Sequence, residues 1–358
     1  EAQRRGGCVI PEASPTTSGV VGRPVTLSRV LRLASVVFCG ALPLFVVVAL
    51  FAEAIREDAV AFDFRVFYEA AEAVLRGETP YQSLDDPTAD VRRGYVYPPL
   101  TAIGAIPLTV LSPEVAGLLV MTVLVGAALA IPFVVGVRDW RCYGLVLLWP
   151  PVVSAIQTGS VTILLGLGAA LTWRFRDRLL GSSASAGATL AVKLILWPLV
   201  VWLAATRRVA AAALSCLIGV AAVLVAWVSI GFAGLAEYPV ILRRLQGEIE
   251  LDSYTAYVAL LDAGAPSSVA RVIWLTLGLG LLAAAVVLGR RGDDRAAFIL
   301  TIAAALALTP IVWLHYFALL VVVVAVARPR LGLVWFIPLA MFVTPGSGSP
   351  TPFETSAT

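Results

Sequence analysis

Charged residues are scarce in this chain. Only 14% of its 358 residues are Asp, Glu, Lys or Arg, whereas 59% are apolar and the mean hydropathy is +0.91. A soluble domain has roughly a quarter of its residues charged, so the composition argues against soluble enzymes, nucleic-acid modules and disordered scaffolds. The apolar residues come in blocks of about 20, the length that crosses a bilayer core. The sequence therefore predicts an all-α, polytopic membrane protein.

Lysine, histidine and asparagine are nearly or fully absent from this chain. Lys193 is the single lysine, His315 is the single histidine, and asparagine does not occur. The four cysteines show no Cys-x-x-Cys or Cys/His spacing, so we expect small buried apolar side chains rather than metal ligands. The adjacent Asp85 and Asp86 precede Pro87, which is more typical of a turn than of a cation site. We expect no metal and no cofactor.

The chain divides into a long helical domain between two tails. Residues 1 to 28 are rich in Pro, Ser, Thr and Gly and predict a disordered cytoplasmic tail. Residues 29 to 345 form the predicted transmembrane domain, and 346 to 358 a second disordered tail. Arginines precede the first predicted span, 33 to 52, and acidic residues follow it, so the positive-inside rule places the loop 53 to 96 on the outer face of the membrane.

The later arginine groups are expected on the cytoplasmic side. That condition is met if 97 to 111 and 184 to 205, which prolines interrupt, are half-membrane hairpins or short tilted helices. Such backbone is tolerated at membrane depth where it lines a cavity or packs inside protein. Full spans are then predicted at 33 to 52, 114 to 137, 142 to 156, 159 to 173, 209 to 231, 269 to 289, 297 to 313, 315 to 327 and 331 to 343.

Four outer features are then expected to share one face. They are the loop 53 to 96, the turn 157 to 160, the loop 232 to 268 and the junction 313 to 316. No internal repeat is visible, which weighs against a transporter built from inverted halves.

The first outer loop predicts an amphipathic helix at the membrane interface. Its apolar residues recur at helical spacing until Gly77. They are Phe64, Phe67, Tyr68, Ala71, Val74 and Leu75. Asp63 lies at the first turn, where it could cap the helix or act as a general base on a hydroxyl.

Three ordered motifs carry a resemblance to a known family. The first motif is Asp63-Phe64-x-x-Phe67-Tyr68-x-Ala70-Ala71-x-x-x-Leu75-x-Gly77-x-x-Pro80-Tyr81, and Tyr97-Pro98-Pro99-Leu100 follows it. The second begins with Gln157 and continues with Ala186-Gly187-Ala188-x-Leu190-Ala191-x-Lys193-x-x-x-Trp197-Pro198. The third is Pro310-x-x-Trp313-x-His315-Tyr316. Over residues 30 to 345 the set resembles glycosyltransferase family 87. These are GT-C-fold membrane enzymes that use polyprenyl-phosphate sugars, and they include actinobacterial mannosyltransferases of cell-envelope biosynthesis.

The resemblance implies a chemistry for Asp63. In the GT-C fold an acidic residue of the first outer loop deprotonates the acceptor hydroxyl, which then displaces polyprenyl phosphate with inversion. A β-linked donor would so give an α-glycoside. The implied partners are a polyprenyl-phosphate sugar, most simply mannose, a lipid or polysaccharide acceptor, and membrane lipids, at the outer face of the cell membrane.

Other residues are assigned by the same resemblance. Contacts to the donor phosphate or sugar fall to His315, Lys193, Arg65, Gln157 and Tyr97, and contacts to the acceptor to Tyr68, Tyr81 and Tyr316. From physics alone, Lys193 could instead snorkel to an interface or pair with a carboxylate, His315 could be an ordinary interfacial residue, and Arg65 could be solvated or bind a lipid headgroup.

The outer turn departs from the family. Family members usually show Gly-Gln-x-Asn where this chain has Ile156-Gln157-Thr158-Gly159-Ser160, so a polar contact to the sugar is missing or is replaced by Ser160. Two alternatives stay open: an arabinofuranosyltransferase that uses polyprenyl-phosphate arabinose, and a non-enzymatic transporter of lipids or lipid-linked sugars.

Overall fold

The fold is entirely helical in the part of the chain that the structure describes. A computed structural model describes residues 25–57, 60–83 and 94–342. These form α1 Val25–Val36, α2 Leu42–Glu57, α3 Phe62–Leu75, α4 Pro99–Ala105, α5 Pro113–Val134, α6 Trp140–Leu148, α7 Pro150–Thr158, α8 Thr162–Arg174, α9 Leu179–Val192, α10 Pro198–Ala205, α11 Val209–Ser229, α12 Tyr238–Ile249, α13 Ala256–Asp262, α14 Ser267–Arg290, α15 Asp294–Leu308 and α16 Leu320–Ala327. The predicted all-α class is confirmed.

Shorter helical stretches complete the described chain. A π-helical turn, Val37–Ala41, joins α1 to α2, and 3₁₀ helices cover Ile106–Val110, Leu194–Leu196, Glu250–Asp252, Leu314–Leu319 and Leu333–Phe342. Helix α1 begins at Val25, inside the segment predicted to be a tail. The rest of that tail, the tail 346 to 358 and the Asp85-Asp86 pair lie outside the described residues.

Four single helices are long and apolar enough to cross a membrane. They are Arg29–Arg56, Pro113–Val134, Val209–Ser229 and Ser267–Arg290, and α7 with α8 makes a fifth span if this pair, bent by 118°, is counted as one. The prediction of nine full spans is thus only partly confirmed. The remaining segments are helical but short; Pro150, for example, starts a new helix inside the predicted continuous span 142 to 156.

Helices α9 and α10 form a hairpin. The start of α9 and the end of α10 lie close together at an ion pair, in which Arg208 Nη2 lies 2.6 Å from Asp177 Oδ1. The chain reverses at Lys193 and the 3₁₀ turn that follows it. The hairpin proposed for 184 to 205 is therefore present, with α9 starting earlier, at Leu179.

Helix α3 packs its apolar face against the protein itself. Phe64, Phe67, Tyr68 and Ala71 are buried, and the helix contacts α4, α5 and α7. Leu75, predicted for the same face, is 58% exposed. The N-cap is Ala61 rather than Asp63, which lies in the first turn.

Candidate functional site

The start of α3 is wedged between two other elements. Ala61 is fully buried and adopts a left-handed backbone with φ 50°. A Cβ on Gly159 would lie 2.8 Å from the Ala61 Cβ, and one on Gly117 would lie 2.6 Å from Val60 Cγ1. Because only glycine permits both approaches, α5 and the α7–α8 turn fix the position of Asp63.

Asp63 faces a histidine from the far end of the chain. Its Oδ2 lies 4.0 Å from His315 Nε2, and its side chain keeps 30% of its surface exposed. Burial raises the pKa of Asp63 from 3.8 to about 6, while the charge of Lys193 and the hydroxyl of Thr158 lower it. A carboxyl group with this pKa is mostly ionised at neutral pH and still accepts a proton readily.

Lys193 occupies the break between α9 and the following 3₁₀ turn. Its backbone there is extended, with φ −158° and ψ 128°. The Nζ donates hydrogen bonds to the Tyr97 hydroxyl, at 3.0 Å, and to the Tyr316 hydroxyl. The Nζ also lies 4.8 Å from the centre of the Tyr97 ring and 4.3 Å from the centre of the Tyr316 ring. Each tyrosine therefore binds the ammonium group by a cation–π contact as well as by a hydrogen bond.

Segments that the sequence predicts for one face come together around Asp63. The ring of Tyr97 stands edge-on to Phe67 of α3 at 4.8 Å, and His315 contacts Tyr316 at 4.9 Å. A further clamp was not foreseen: Ser253 Oγ accepts the Val312 N–H at 2.9 Å, and the Tyr254 N–H donates to the Val312 carbonyl at 2.8 Å. It ties the outer loop 232 to 268 to the segment just before His315.

Three predicted residues contact protein instead of facing the site. Arg65 pairs with Glu69 at 3.4 Å on the exposed side of α3. The Tyr68 hydroxyl donates to the Leu111 carbonyl at 2.8 Å, and the Tyr81 hydroxyl donates to the Tyr97 carbonyl at 2.9 Å. Since Tyr68 and Tyr81 are both 4% exposed, they brace the walls and are not placed to touch an acceptor. Long-range hydrogen bonds of this kind leave no mark on the sequence pattern.

Tyr316 also differs from its assignment. Its hydroxyl belongs to the Lys193 group rather than to a separate acceptor region. Gln157 lies half-buried in the last turn of α7, next to Thr158.

The outer turn offers Thr158 rather than Ser160. Ser160 is 1% exposed and its Oγ shares a hydrogen bond with Thr162 Oγ1 at 3.1 Å, which favours the first of the two alternatives, a missing polar contact. The buried Thr158 Oγ1 has no hydrogen-bond partner within the described ranges. It lowers the pKa of Asp63, so it lies near that carboxylate.

Asp63 and the Lys193 group together can support a proton transfer next to a bound anion. Asp63 can accept a proton, and Lys193 with two phenols can bind negative charge. Among the described residues no group of three or more His, Cys, Asp or Glu side chains is placed to hold a metal ion.

Sequence comparison identifies one matching family. The sequence model of glycosyltransferase family 87 matches residues 95–313, well over half of the chain. Tyr97, Gln157 and Lys193 lie within this match, whereas Asp63 and His315 lie outside it. No curated protein and no solved structure matches the chain.

Proposed function

Because the chain belongs to glycosyltransferase family 87 and is a membrane glycosyltransferase, we propose that it transfers mannose from a polyprenyl-phosphate carrier. The acceptor is a lipid or a polysaccharide at the outer face of the cell membrane. The observation that carries the proposal is one site that holds a proton-accepting carboxylate, Asp63, and a cation, Lys193, whose hydrogen bonds go to tyrosines rather than to that carboxylate.

Asp63 supplies the base. Its carboxylate takes the proton of the acceptor hydroxyl as the hydroxyl oxygen forms a bond to the anomeric carbon. The bond from that carbon to the phosphate oxygen breaks, and the electron pair leaves with polyprenyl phosphate. Attack opposite to the leaving group inverts the anomeric centre. The 30% exposure of the Asp63 side chain leaves room for the acceptor hydroxyl to approach.

Lys193 supplies the positive charge that the leaving phosphate needs. A phosphate that gains negative charge in the transition state is stabilised by fixed donors already in place, and the ammonium with the Tyr97 and Tyr316 hydroxyls provides three. An ionisable residue in an apolar segment costs several kcal/mol or more and is functional by default. His315, 4.0 Å from Asp63, is positioned to donate a hydrogen bond to sugar or phosphate.

The hairpin break supports a donor that arrives on a lipid. Leu194 and Trp197, which flank the turn beside Lys193, are 70% and 41% exposed. In a membrane these side chains meet lipid, so a polyprenyl chain can lie against them while its phosphate reaches the ammonium. The outer orientation rests on the arginines: Arg176 and Arg208 gather with Asp294 at the hairpin's other end, where the positive-inside rule places the cytoplasm.

The test is transfer of radiolabelled mannose from polyprenyl phosphate to lipid acceptors by the purified protein in liposomes. We expect Asp63→Asn to lower turnover by about 10²- to 10⁴-fold, the usual contribution of a general base. Asp262→Asn, which alters an exposed carboxylate at the end of α13, should keep normal turnover.

Other outcomes would redirect the proposal. Full turnover by Asp63→Asn would remove the assigned base. Transfer of arabinose but not of mannose would change the donor. If no carrier sugar were transferred but labelled lipid crossed the bilayer, the protein would be a transporter.

A further inference from the structure

The buried hydroxyl of Thr158 is an unexplained polar group beside the proposed base. No solvent reaches its Oγ1, and none of the described residues gives it a hydrogen bond. Buried polar groups nearly always form a hydrogen bond, because a buried group without one destabilises the fold. The hydroxyl lowers the pKa of the Asp63 carboxyl group, so this carboxylate lies near it.

The turn that carries Thr158 faces α3 at close range. Thr158 ends α7, and the next residue, Gly159, has φ 72°. A Cβ on Gly159 would lie 2.8 Å from the Ala61 Cβ and 2.9 Å from the Phe64 Cβ. Asp63 adjoins Phe64 in the chain, so the turn that carries Thr158 packs against the segment that carries the carboxylate.

The other hydroxyls of the turn are already paired. Ser160 Oγ and Thr162 Oγ1 share a hydrogen bond at 3.1 Å, and both residues are 1% exposed. They stabilise the bend between α7 and α8, whereas Thr158 Oγ1 has no hydrogen-bond partner among the described residues. Within five residues the turn therefore holds two hydroxyls that bond to each other and one, that of Thr158, that is free to donate a hydrogen bond.

We propose that Thr158 is a positioning residue for the base, and that its hydroxyl donates a hydrogen bond to one carboxylate oxygen of Asp63 while the other oxygen receives the proton of the acceptor. The inference rests on the proposed function for the identity of that proton. A donor fixed on one oxygen sets the rotation of the carboxylate, which a base must hold within hydrogen-bond reach of its target.

The hydrogen bond also favours the ionised form of Asp63. A bond donated to the charged form lowers a carboxyl pKa, and Thr158 already acts in this direction against burial, which brings the pKa of Asp63 to about 6. The groups that face Asp63 from the surrounding elements are Lys193 at the end of α9, His315 in the 3₁₀ helix 314–319 and Tyr97 before α4. Unlike Lys193, Thr158 carries no charge, so its removal leaves the charges around Asp63 unchanged.

The experiment reads the protonation of Asp63 directly. Infrared difference spectra of the full-length protein against Asp63→Asn isolate the carboxylic C=O band of Asp63, which is titrated from pH 4 to pH 9. We expect Thr158→Val, which removes the hydroxyl but keeps the shape, to move the midpoint up by about one pH unit, as loss of one hydrogen bond to a charged group implies. Thr158→Ser should stay near the wild-type midpoint.

Thr162→Val is the matched control, because it removes a hydroxyl from the same turn that does not face Asp63. It should leave the midpoint unchanged. In the transfer assay the acid limb of the pH–rate profile should move with the infrared midpoint for Thr158→Val.

An unchanged midpoint in Thr158→Val, or equal shifts in the Val and Ser variants, would overturn the inference and leave the glycosyltransferase assignment untouched. If the wild-type protein transferred no sugar, the proposed function would fall, and the infrared titration would still decide whether Thr158 acts on Asp63.

Discussion

Two groups of charged side chains lie among the apolar helices. In one group the opposite charges form close ion pairs, and in the other they do not. In the arginine cluster, made of Arg176, Asp177, Arg208 and Asp294, Arg208 Nη2 lies 2.6 Å from Asp177 and 2.7 Å from Asp294, and Arg176 Nε lies 3.6 Å from Asp294. In the candidate site, by contrast, the Asp63 carboxylate has a histidine at 4.0 Å, and the lysine bonds to phenols.

The difference separates charges that hold the fold from charges kept for a ligand. A hydrogen bond from Arg208 lowers the pKa of Asp177, whereas burial raises the pKa of Asp63. The first shift means that the folded state favours the ionised carboxylate, and the second that it disfavours it. The arginine cluster therefore pins the α8–α9 loop, the α10–α11 loop and the start of α15, while the site holds charge at a cost to stability.

A large loss of turnover is expected when the cation of the site is removed. Lys193→Met should lower turnover by about 100-fold or more, the usual loss when one preorganised donor to a developing anion is removed. Thermal stability should not fall with it, because the methionine fills a similar volume and needs no desolvation of a charge. The measurement is the rate of sugar transfer at saturating donor, beside a melting curve of the same preparation.

Arg271→Met provides the control for Lys193→Met. Arg271 is a half-exposed cation that pairs with Glu250 at 3.5 Å, and its loss should leave transfer near normal. If Lys193→Met kept more than a tenth of wild-type turnover, the leaving phosphate would have to bind elsewhere.

The arginine cluster should respond in the reverse manner. Asp294→Ala removes the carboxylate that both Arg208 and Arg176 contact. Breaking a fully buried pair costs roughly 3–5 kcal/mol, but these side chains are 20% to 30% exposed, so we expect a loss of about 2 kcal/mol after solvent screening. Turnover per folded molecule should stay unchanged, as measured by chemical unfolding and the transfer assay together.

A variant of Asp294 that melts normally but transfers sugar poorly would erase the distinction between the two clusters. Asp262→Ala, at an exposed position, controls for the loss of a carboxylate as such.

The sequence predicted what local patterns determine. Helical spacing located α3, and Pro198 indicated a break within the segment 184 to 205, because both act within a few residues. The positive-inside rule predicted one shared face for the loop 53 to 96 and the junction 313 to 316, and the structure brings Asp63 and His315 together although about 250 residues separate them.

Side-chain partners across the fold could not be predicted in this way. The hydroxyls of Tyr68 and Tyr81 end on backbone carbonyls 43 and 16 residues away, and composition cannot tell such a bond from a contact to an acceptor. The unpaired state of Thr158 depends on the left-handed turn at Gly159 and on how closely α3 approaches it. The number of spans was overestimated because apolar length was counted through prolines that start new helices.

The smallest expected effect is a change in folding stability, because the buried Asp63 carboxylate destabilises the folded protein when it is ionised. Its carboxyl pKa is raised to about 6 in the folded protein from about 3.9 when unfolded, so the folded state binds a proton that the unfolded state has lost. Stability therefore falls as pH rises from about 4 to about 6, and the cost is constant above that range. Asp63→Asn removes the charge, and at pH 8 it should stabilise the inactive protein by on the order of 1 kcal/mol, given partial solvent screening.

Melting curves at pH 8 and pH 4 check this sign, since the gain should vanish at the lower pH. Asp177→Asn is the counterpart in the arginine cluster: the pKa of Asp177 is lowered, so its substitution should destabilise the protein at pH 8 and lose that effect in acid. If Asp63→Asn melted below the wild-type protein at pH 8, the Asp63 carboxylate would be holding the fold as Asp177 does, and the contrast between the two clusters would fail at its central residue.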